Sequence, residues 1–317
     1  NVNKNIVKCL NKRASFTHFK FKPLRLIEII YKTICSKVVI FSGISNIDHI
    51  TVPIAKIFHK KIIYIMHGCL SWEYELNNNS TNQHGIDNEE LMLESADKIL
   101  CVSSPYKELI SKRYPQYAQK LGVLTNGINW KDLNKKRNIS IARNSSSIVL
   151  MGGGRITKRN LQVCQAVEEI NKEDNTNLKV TVYGYYNEND DSKAISQIAC
   201  ANFHHVIPQV ELFNILNSSS LFIQNSEFEP FSLGVIEALA CGCNVLMSCN
   251  VGAREVIKGL TDNEVINDVM DISEIKLKIR QVIQTSNNER LWSSIDKVST
   301  SNEASTERLL TIASNFL

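Results

Sequence analysis

No run of about twenty apolar residues occurs in this chain, so nothing in it reads as a membrane-spanning helix. No signal-peptide pattern opens it, and no internal repeat recurs at a fixed period. The nine cysteines form no CxxC pair; Cys241 and Cys243 stand one residue apart. A zinc site is therefore not expected, and cysteines set within apolar runs, such as Cys101, read as buried free thiols of a reducing compartment. The Asn-x-Ser/Thr triplets at Asn78, Asn79, Asn138 and Asn144 are then expected to go unused. There is no GxGxxG and no Asp-x-Asp in a position to hold a metal. Asp190-Asp191 lies in a polar run and reads as a helix entry. No nucleic-acid motif is present.

What is present is enough chain, 317 residues, for two domains that each bury a core. The chain begins with Asn rather than Met, and the expectation is that its natural start lies upstream. Residues 1–37 carry Lys4, Lys8, Lys12, Arg13, Lys20, Lys22, Arg25, Lys32 and Lys37 against the single acid Glu28. Phe16, Phe19, Phe21 and Leu24 are interleaved with them. Such a face is either solvated or attracted to anionic lipid headgroups; nucleic acid ranks below lipid.

Short β-branched runs alternate with helical spacing in two blocks. Strands are expected at 38–41, 62–66, 99–103 and 123–125, then at 148–151, 179–183, 221–224 and 245–248. Helices are expected at 105–119, 160–172, 272–285 and 301–317. The pattern implies an α/β protein with two Rossmann-like, doubly wound domains. The polar stretch 131–147 reads as the seam. The expected division is a domain over 1–135, a second over 136–300, and a closing helix over 301–317.

The most informative stretch is EPFSLGVIEALACG, residues 229–242. It follows a short strand. Pro230 keeps its first part a loop, and Ser232 is a good cap for a helix whose buried stripe is Ile236, Leu239, Ala240 and Cys243, with Gly242 ending it. Glu229 thus falls at the carboxyl end of a strand, where open α/β sheets take ligands, and Glu237 about one turn inside the helix. Amides around Leu233, Gly234 and Val235 offer an anion site, and Gly234 allows close approach. A sugar nucleotide would use all of these: sugar on Glu229, phosphates on the amides, ribose on Glu237. The alternative is a local salt bridge for Glu229 and a flanking place for Glu237. After the first strand of the second block comes GGGRITKRN, residues 152–160. Its Gly153 and Gly154 suit close approach, and Arg155, Lys158 and Arg159 can neutralise a diphosphate. His67-Gly68 ends a strand of the first block. Asn126-Gly127 signals a turn.

Together these residues resemble the retaining glycosyltransferases of family 4, with the GT-B fold. The resemblance is carried by EPFSLGVIEALACGCNV (229–245), GGGRITKRN (152–160), VLTNGIN (123–129), ADKILCVS (96–103), His67-Gly68 and VGAREVI (251–257), in the family's order. It implies two Rossmann-like domains facing each other across a cleft, with a nucleotide sugar held mostly by the second. It places Glu229 and His67 against the donor sugar and Glu237 on the ribose, with Arg155 and Lys158 on the diphosphate. Gly153, Gly154, Arg159, Phe231, Ser232, Leu233, Gly234 and Val235 complete the donor site. Transfer with retention and without a catalytic metal is implied. No cofactor is expected beyond the donor as substrate, a UDP-sugar first and a GDP-sugar second. The basic, aromatic-flecked first domain suggests an acceptor at an anionic membrane, a saccharide or lipid-linked saccharide, and the Lys- and Asn-rich composition fits a bacterial surface polysaccharide, lipopolysaccharide or capsule, made in the cytoplasm at the inner face of the membrane. Three features depart from the family: Arg-to-Lys spacing is short, so Arg159 can stand in for Lys158; Asn129 replaces the usual acid; and the acceptor-side glycine loop near the N-terminus is not visible. Two rival readings remain, a nucleotide-sugar epimerase on the same fold and a non-catalytic nucleotide-sugar-binding partner of another transferase.

Overall fold

The computed structural model describes residues 9–10, 14–15, 21–76, 83–137 and 141–317. The basic and aromatic residues Lys4, Lys8, Lys12, Arg13, Phe16, Phe19 and Lys20 lie outside the described residues, as do Asn78, Asn79 and Asn138. The chain divides into two compact units, Asn1–Asn129 with Lys297–Leu317, and Trp130–Asp296. The unit boundary falls at 129/130 rather than at 135/136, because most of the polar stretch 131–147 is built into the second unit. Trp130–Lys136 is a helix there, and a strand already starts at Asn144.

The first unit runs α1 (Lys22–Cys35), β1 (Val38–Ser42), α2 (Asp48–Ile57), β2 (Lys61–Met66), α3 (Leu70–Leu76), α4 (Gln83–Ser95), β3 (Lys98–Cys101), α5 (Ser104–Arg113) and β4 (Leu121–Val123). The strands form a parallel sheet in the order β1-β2-β3-β4. Ile62 to Met66 of β2 are all buried, as a strand covered on both faces requires. The helix expected over 105–119 stops at Arg113. Pro115 denies Tyr114 a helical backbone, and a 3-10 turn, Pro115–Lys120, follows. That turn delivers the next strand two residues earlier than expected, at Leu121. The last helix, Asn302–Ser314, packs on this same unit: Ser305 Oγ donates to Thr125 O at 2.8 Å, and Ile128 N to Thr300 O at 2.9 Å. Gly127 permits this, since a Cβ there would sit 2.6 Å from Asn302 Cα.

The second unit runs α6 (Trp130–Lys136), β5 (Asn144–Met151), α7 (Asn160–Asp174), β6 (Lys179–Tyr183), α8 (Ser192–Ser196), β7 (Ala201–His204), α9 (Gln209–Ser218), β8 (Ser219–Gln224), α10 (Leu233–Ala240), β9 (Asn244–Ser248), β10 (Val265–Ile266), α11 (Ile272–Gln284) and α12 (Asn288–Ser293). All six strands are parallel, in the order β10-β9-β8-β5-β6-β7. The chain therefore winds one way from β5 to β7 and then restarts at β8 on the other side of β5. Ile148, Leu150, Val180, Val182, Leu221 and Ile223 fill the core with Val163, Val167 and Ile279 of the covering helices. Strands β7 and β10, absent from the expectation, are short edge strands. The first alternates half-buried and exposed residues, and the second has two residues. All nine cysteines are free, and Cys69, Cys101, Cys164, Cys200, Cys241 and Cys243 are buried.

Candidate functional site

The reversal of winding puts the carboxyl ends of β5 and β8 side by side, with Leu150 opposite Ile223. In open parallel sheets this is where a ligand crevice opens, because the helices leaving the two strands diverge to opposite faces. The loops that emerge here are residues 152–159 and 225–232, the two stretches singled out in the sequence. They are joined by two ion pairs. Lys158 Nζ donates to Glu229 Oε2 at 2.5 Å, and Arg159 Nε to Glu227 Oε2 at 3.0 Å. Glu227 N also donates to Thr157 O at 2.9 Å, and Asn225 Nδ2 to Val269 O at 2.9 Å. The Glu229 segment is stitched on its other side to residues 250–253: Glu229 N donates to Asn250 O at 3.3 Å and Gly252 N to Glu229 O at 3.0 Å. Glu229 is thus held from two directions, with its carboxylate turned to Lys158.

The three cations are not equivalent. Arg155 is exposed, its Nε on Gly152 O at 3.2 Å. Lys158 closes the 3-10 turn Ile156–Lys158. Arg159 stands at φ 50°, in the left-handed region, where it precedes α7, and Glu227 occupies its guanidinium. Glu227 was missed by sequence reasoning; its only signal is an acid two places before Glu229.

The glycines have another reason than ligand approach. Gly152 N and Gly153 N both donate to Tyr183 O, at 2.8 and 3.0 Å. A Cβ on Gly153 would lie 2.5 Å from Tyr185 O, and one on Gly154 would lie 2.2 Å from Ser192 N. Their bare faces are thus spent on the loop that follows β6. Asn160 locks the turn from inside, donating to Met151 O at 3.1 Å and Gly153 O at 2.7 Å. Asp190 Oδ1 accepts from Ser192 N at 2.8 Å and opens α8, in keeping with a helix entry. Gly234 likewise faces the sheet, its absent Cβ 3.3 Å from the Phe222 ring.

The start of α10 differs from expectation. Ser232 does not cap the helix: it sits at φ 73°, ψ 84°, and its hydroxyl donates to Gln224 Oε1 at 3.3 Å. A non-glycine residue held there stores strain beside Glu229, as at positions where the backbone is set for a ligand. The buried residues of α10, Val235, Ile236, Ala238, Leu239 and Ala240, wrap the helix rather than forming one stripe. Phe231 and Val235 therefore lie in the core, and Leu233 is half-buried. Glu237 is half-buried and accepts from Gln209 Nε2 at 2.7 Å. Burial pushes its pKa up, against the Gln209 hydrogen bond and the Lys136 charge.

His67 belongs to the first unit, at the carboxyl end of β2, with Nε2 2.9 Å from Ser42 Oγ. Burial lowers its pKa, so the ring is neutral at pH 7. The turn that carries it is anchored by Glu89 of α4, a fully buried carboxylate. Glu89 accepts from Leu70 N at 2.6 Å, Ser71 Oγ at 2.7 Å and Ser71 N at 3.2 Å, capping α3 from outside. No motif marks Glu89 in the sequence.

A family model described as glycosyl transferases group 1 matches residues 132–296, just over half of the chain and nearly all of the second unit. The chain belongs to this family. As a group 1 glycosyltransferase it moves a sugar from a nucleotide-sugar donor. No curated protein matches it in sequence. Among solved structures it is similar to HepE from Anabaena in complex with UDP and glucose, with 13% identity and a TM-score of 0.64 over 94% of this chain and 83% of that one. It is also similar to sucrose-phosphate synthase from Thermosynechococcus elongatus, with 14% identity and a TM-score of 0.64 over 96% and 82%. A third similar structure is the lipopolysaccharide outer core galactosyltransferase WaaB, with 18% identity and a TM-score of 0.61 over 96% and 84%. These likenesses establish the fold of this glycosyltransferase: two α/β units with parallel sheets, as in GT-B enzymes.

Proposed function

We propose that this glycosyltransferase is a retaining member of family 4 that works without a catalytic metal and binds its donor at the β5/β8 switch point. The observation that carries the reading is the convergence of Glu229, Lys158 and Arg155 on two adjacent loops there, with Glu237 in the helix that follows. The leaving diphosphate takes its countercharge from Arg155 and Lys158, together with the amides that open α10. Arg159, held by Glu227, orders the loop that presents Lys158. Glu229 accepts hydroxyls of the donor sugar, and Glu237 accepts ribose hydroxyls. Gly153 and Gly154 shape the turn, and Phe231, Ser232, Leu233, Gly234 and Val235 shape the helix entry. His67 is assigned to the donor sugar on the family resemblance, and its neutral ring suits an acceptor or donor of one hydrogen bond.

The HepE complexes with UDP and with UDP-glucose support a UDP-sugar as donor; a GDP-sugar is the second choice. The likeness to WaaB supports an acceptor among lipid-linked saccharides of a bacterial surface polymer. Work at the inner face of an anionic membrane is supported by α1. Leu24, Ile27 and Tyr31 share one outer stripe with Phe21 just before it, and all four are exposed. Among the described residues no helix is long and apolar enough to cross a membrane.

The test is calorimetric titration with UDP, GDP and ADP, with Glu237→Ala as control. Binding of one nucleotide, weakened about ten-fold or more in the variant, is the expected result, as for loss of a hydrogen bond to a charged group. Unchanged affinity would remove Glu237 from the ribose. Transfer assays with a saccharide acceptor then separate a transferase from a binding partner, and donor conversion without acceptor would reveal an epimerase.

A further inference from the structure

We propose that Glu229 and a donor diphosphate compete for the single ammonium of Lys158, and that this exchange makes the site prefer an intact nucleotide sugar over the nucleoside diphosphate that leaves. The inference rests on the donor-site reading above.

The geometry begins with the pair itself. Lys158 Nζ lies 2.5 Å from Glu229 Oε2, with side-chain exposures of only 14% and 18%. So short and so sheltered a contact is a charge-assisted hydrogen bond, not a solvated surface pair. The lysine stem has little freedom: it lies across Gly152, where a Cβ would come 2.7 Å from Lys158 Cγ. The main chain of Glu229 is held in place through its bonds to Asn250 and Gly252. Separating the two charges at this sheltered site therefore calls for a replacement partner for each.

The neighbouring cations do not relieve the competition. Arg159 is engaged by Glu227 at 3.0 Å, and Arg155 is exposed, so its charge is screened by water. The sheltered cation beside the helix entry is Lys158, and Glu229 already draws on it. A phosphate that takes this ammonium leaves the Glu229 carboxylate half-buried with its best donor withdrawn, which is costly. An intact donor supplies the remedy, because hydroxyls of its sugar can donate to the same carboxylate. A free nucleoside diphosphate has no sugar to offer. Glu229 then recaptures Lys158, and the diphosphate is held more weakly. The same two residues that bind the donor thus disfavour the product.

The experiment is a thermodynamic cycle by calorimetry, with UDP and UDP-glucose as probes and the GDP and ADP pairs run alongside. It compares the unmodified chain, Glu229→Gln, Lys158→Gln and the double variant, with thermal melting to verify folding. Glu229→Ala repeats the measurement without leaving an amide. The unmodified chain should bind the sugar form more tightly than the diphosphate. Glu229→Gln and Glu229→Ala should bind the diphosphate about ten-fold more tightly, the value of a charge-assisted hydrogen bond, and lose the preference while turnover falls. In the Lys158→Gln background the same change should bring no gain. Diphosphate affinity that stays level or drops in both Glu229 variants overturns the exchange. So does a gain that persists without Lys158, since that is plain charge repulsion. Failure of the unmodified chain to bind any of these nucleotides overturns the donor-site reading itself, and the exchange with it.

Discussion

A single carboxylate shows how environment, not residue type, sets chemistry in this chain. Asp48 is buried at the start of α2, where it accepts Ser45 N at 2.7 Å. Burial raises its pKa to about 6, against that hydrogen bond and the charge of His49. Between about pH 4 and 6 the unfolded chain releases this proton while the folded chain keeps it, so stability falls as pH rises through that window. The lost contribution is about 1–2 kcal/mol once partial solvent screening is allowed for. Asp48→Asn should therefore raise the melting temperature at pH 7.5 and bring no gain near pH 4. An equal gain at both pH values would mean that the carboxylate charge is not the cause. Glu229 and Glu237 were singled out in the sequence because their spacing matches a known pattern, and Lys158 because it follows a glycine-rich turn. Glu227 and Glu89 were not, because each acts on a residue distant in sequence and has no local signature. Of the two readings of Glu229, the local salt bridge is present, with Lys158, and the sugar ligand is the proposal made above.

Elements were legible wherever local chemistry dictates them. Continuous apolar runs gave β2, β5, β6, β8 and β9, and Pro115 ends α5. They were illegible where the neighbour decides. Edge strands β7 and β10 exist because β6 and β9 offer them free backbone groups. The entry of α10 is set by Gln224 and the 250–253 segment rather than by a Ser232 cap. Helix α3 is a similar case, its first amides satisfied by Glu89 rather than by a residue of its own. Glu89→Ala should leave those amides without their acceptor, while the Ser71 hydroxyl keeps Tyr114, and cost about 2–4 kcal/mol. Glu89→Gln, which keeps an acceptor, should cost clearly less. Urea unfolding of both variants checks this, and equal losses would show that volume rather than capping is at stake.

At the scale of the whole molecule, the first unit offers a face whose partner is a matter of chemistry rather than fold. Phe21, Leu24, Ile27 and Tyr31 are exposed, as is Arg25, and Lys32 is paired with Glu28, the one acid in residues 1–37. Neutralising Lys12, Arg13, Lys20 and Lys22 together should lower the partition coefficient onto phosphatidylserine vesicles at low salt by about a hundred-fold or more, at about 1 kcal/mol per cation near the surface. Unchanged binding would make the basic region merely solvated. The sequence by itself determined the class of the molecule. Two series of strands and helices, the buried thiols and the ordered motifs all follow from periodicity and residue type, which are local properties. Tertiary structure alone decided the rest. It closed the last helix onto the first unit through Gly127, and it turned the glycines of residues 152–154 toward the β6 loop. It also brought Lys158 to Glu229 across 71 positions of chain. Each of these depends on which backbone approaches which; for Lys158 and Glu229 a parallel sheet that reverses its winding at β5 and β8 sets that approach, over a distance no local pattern encodes.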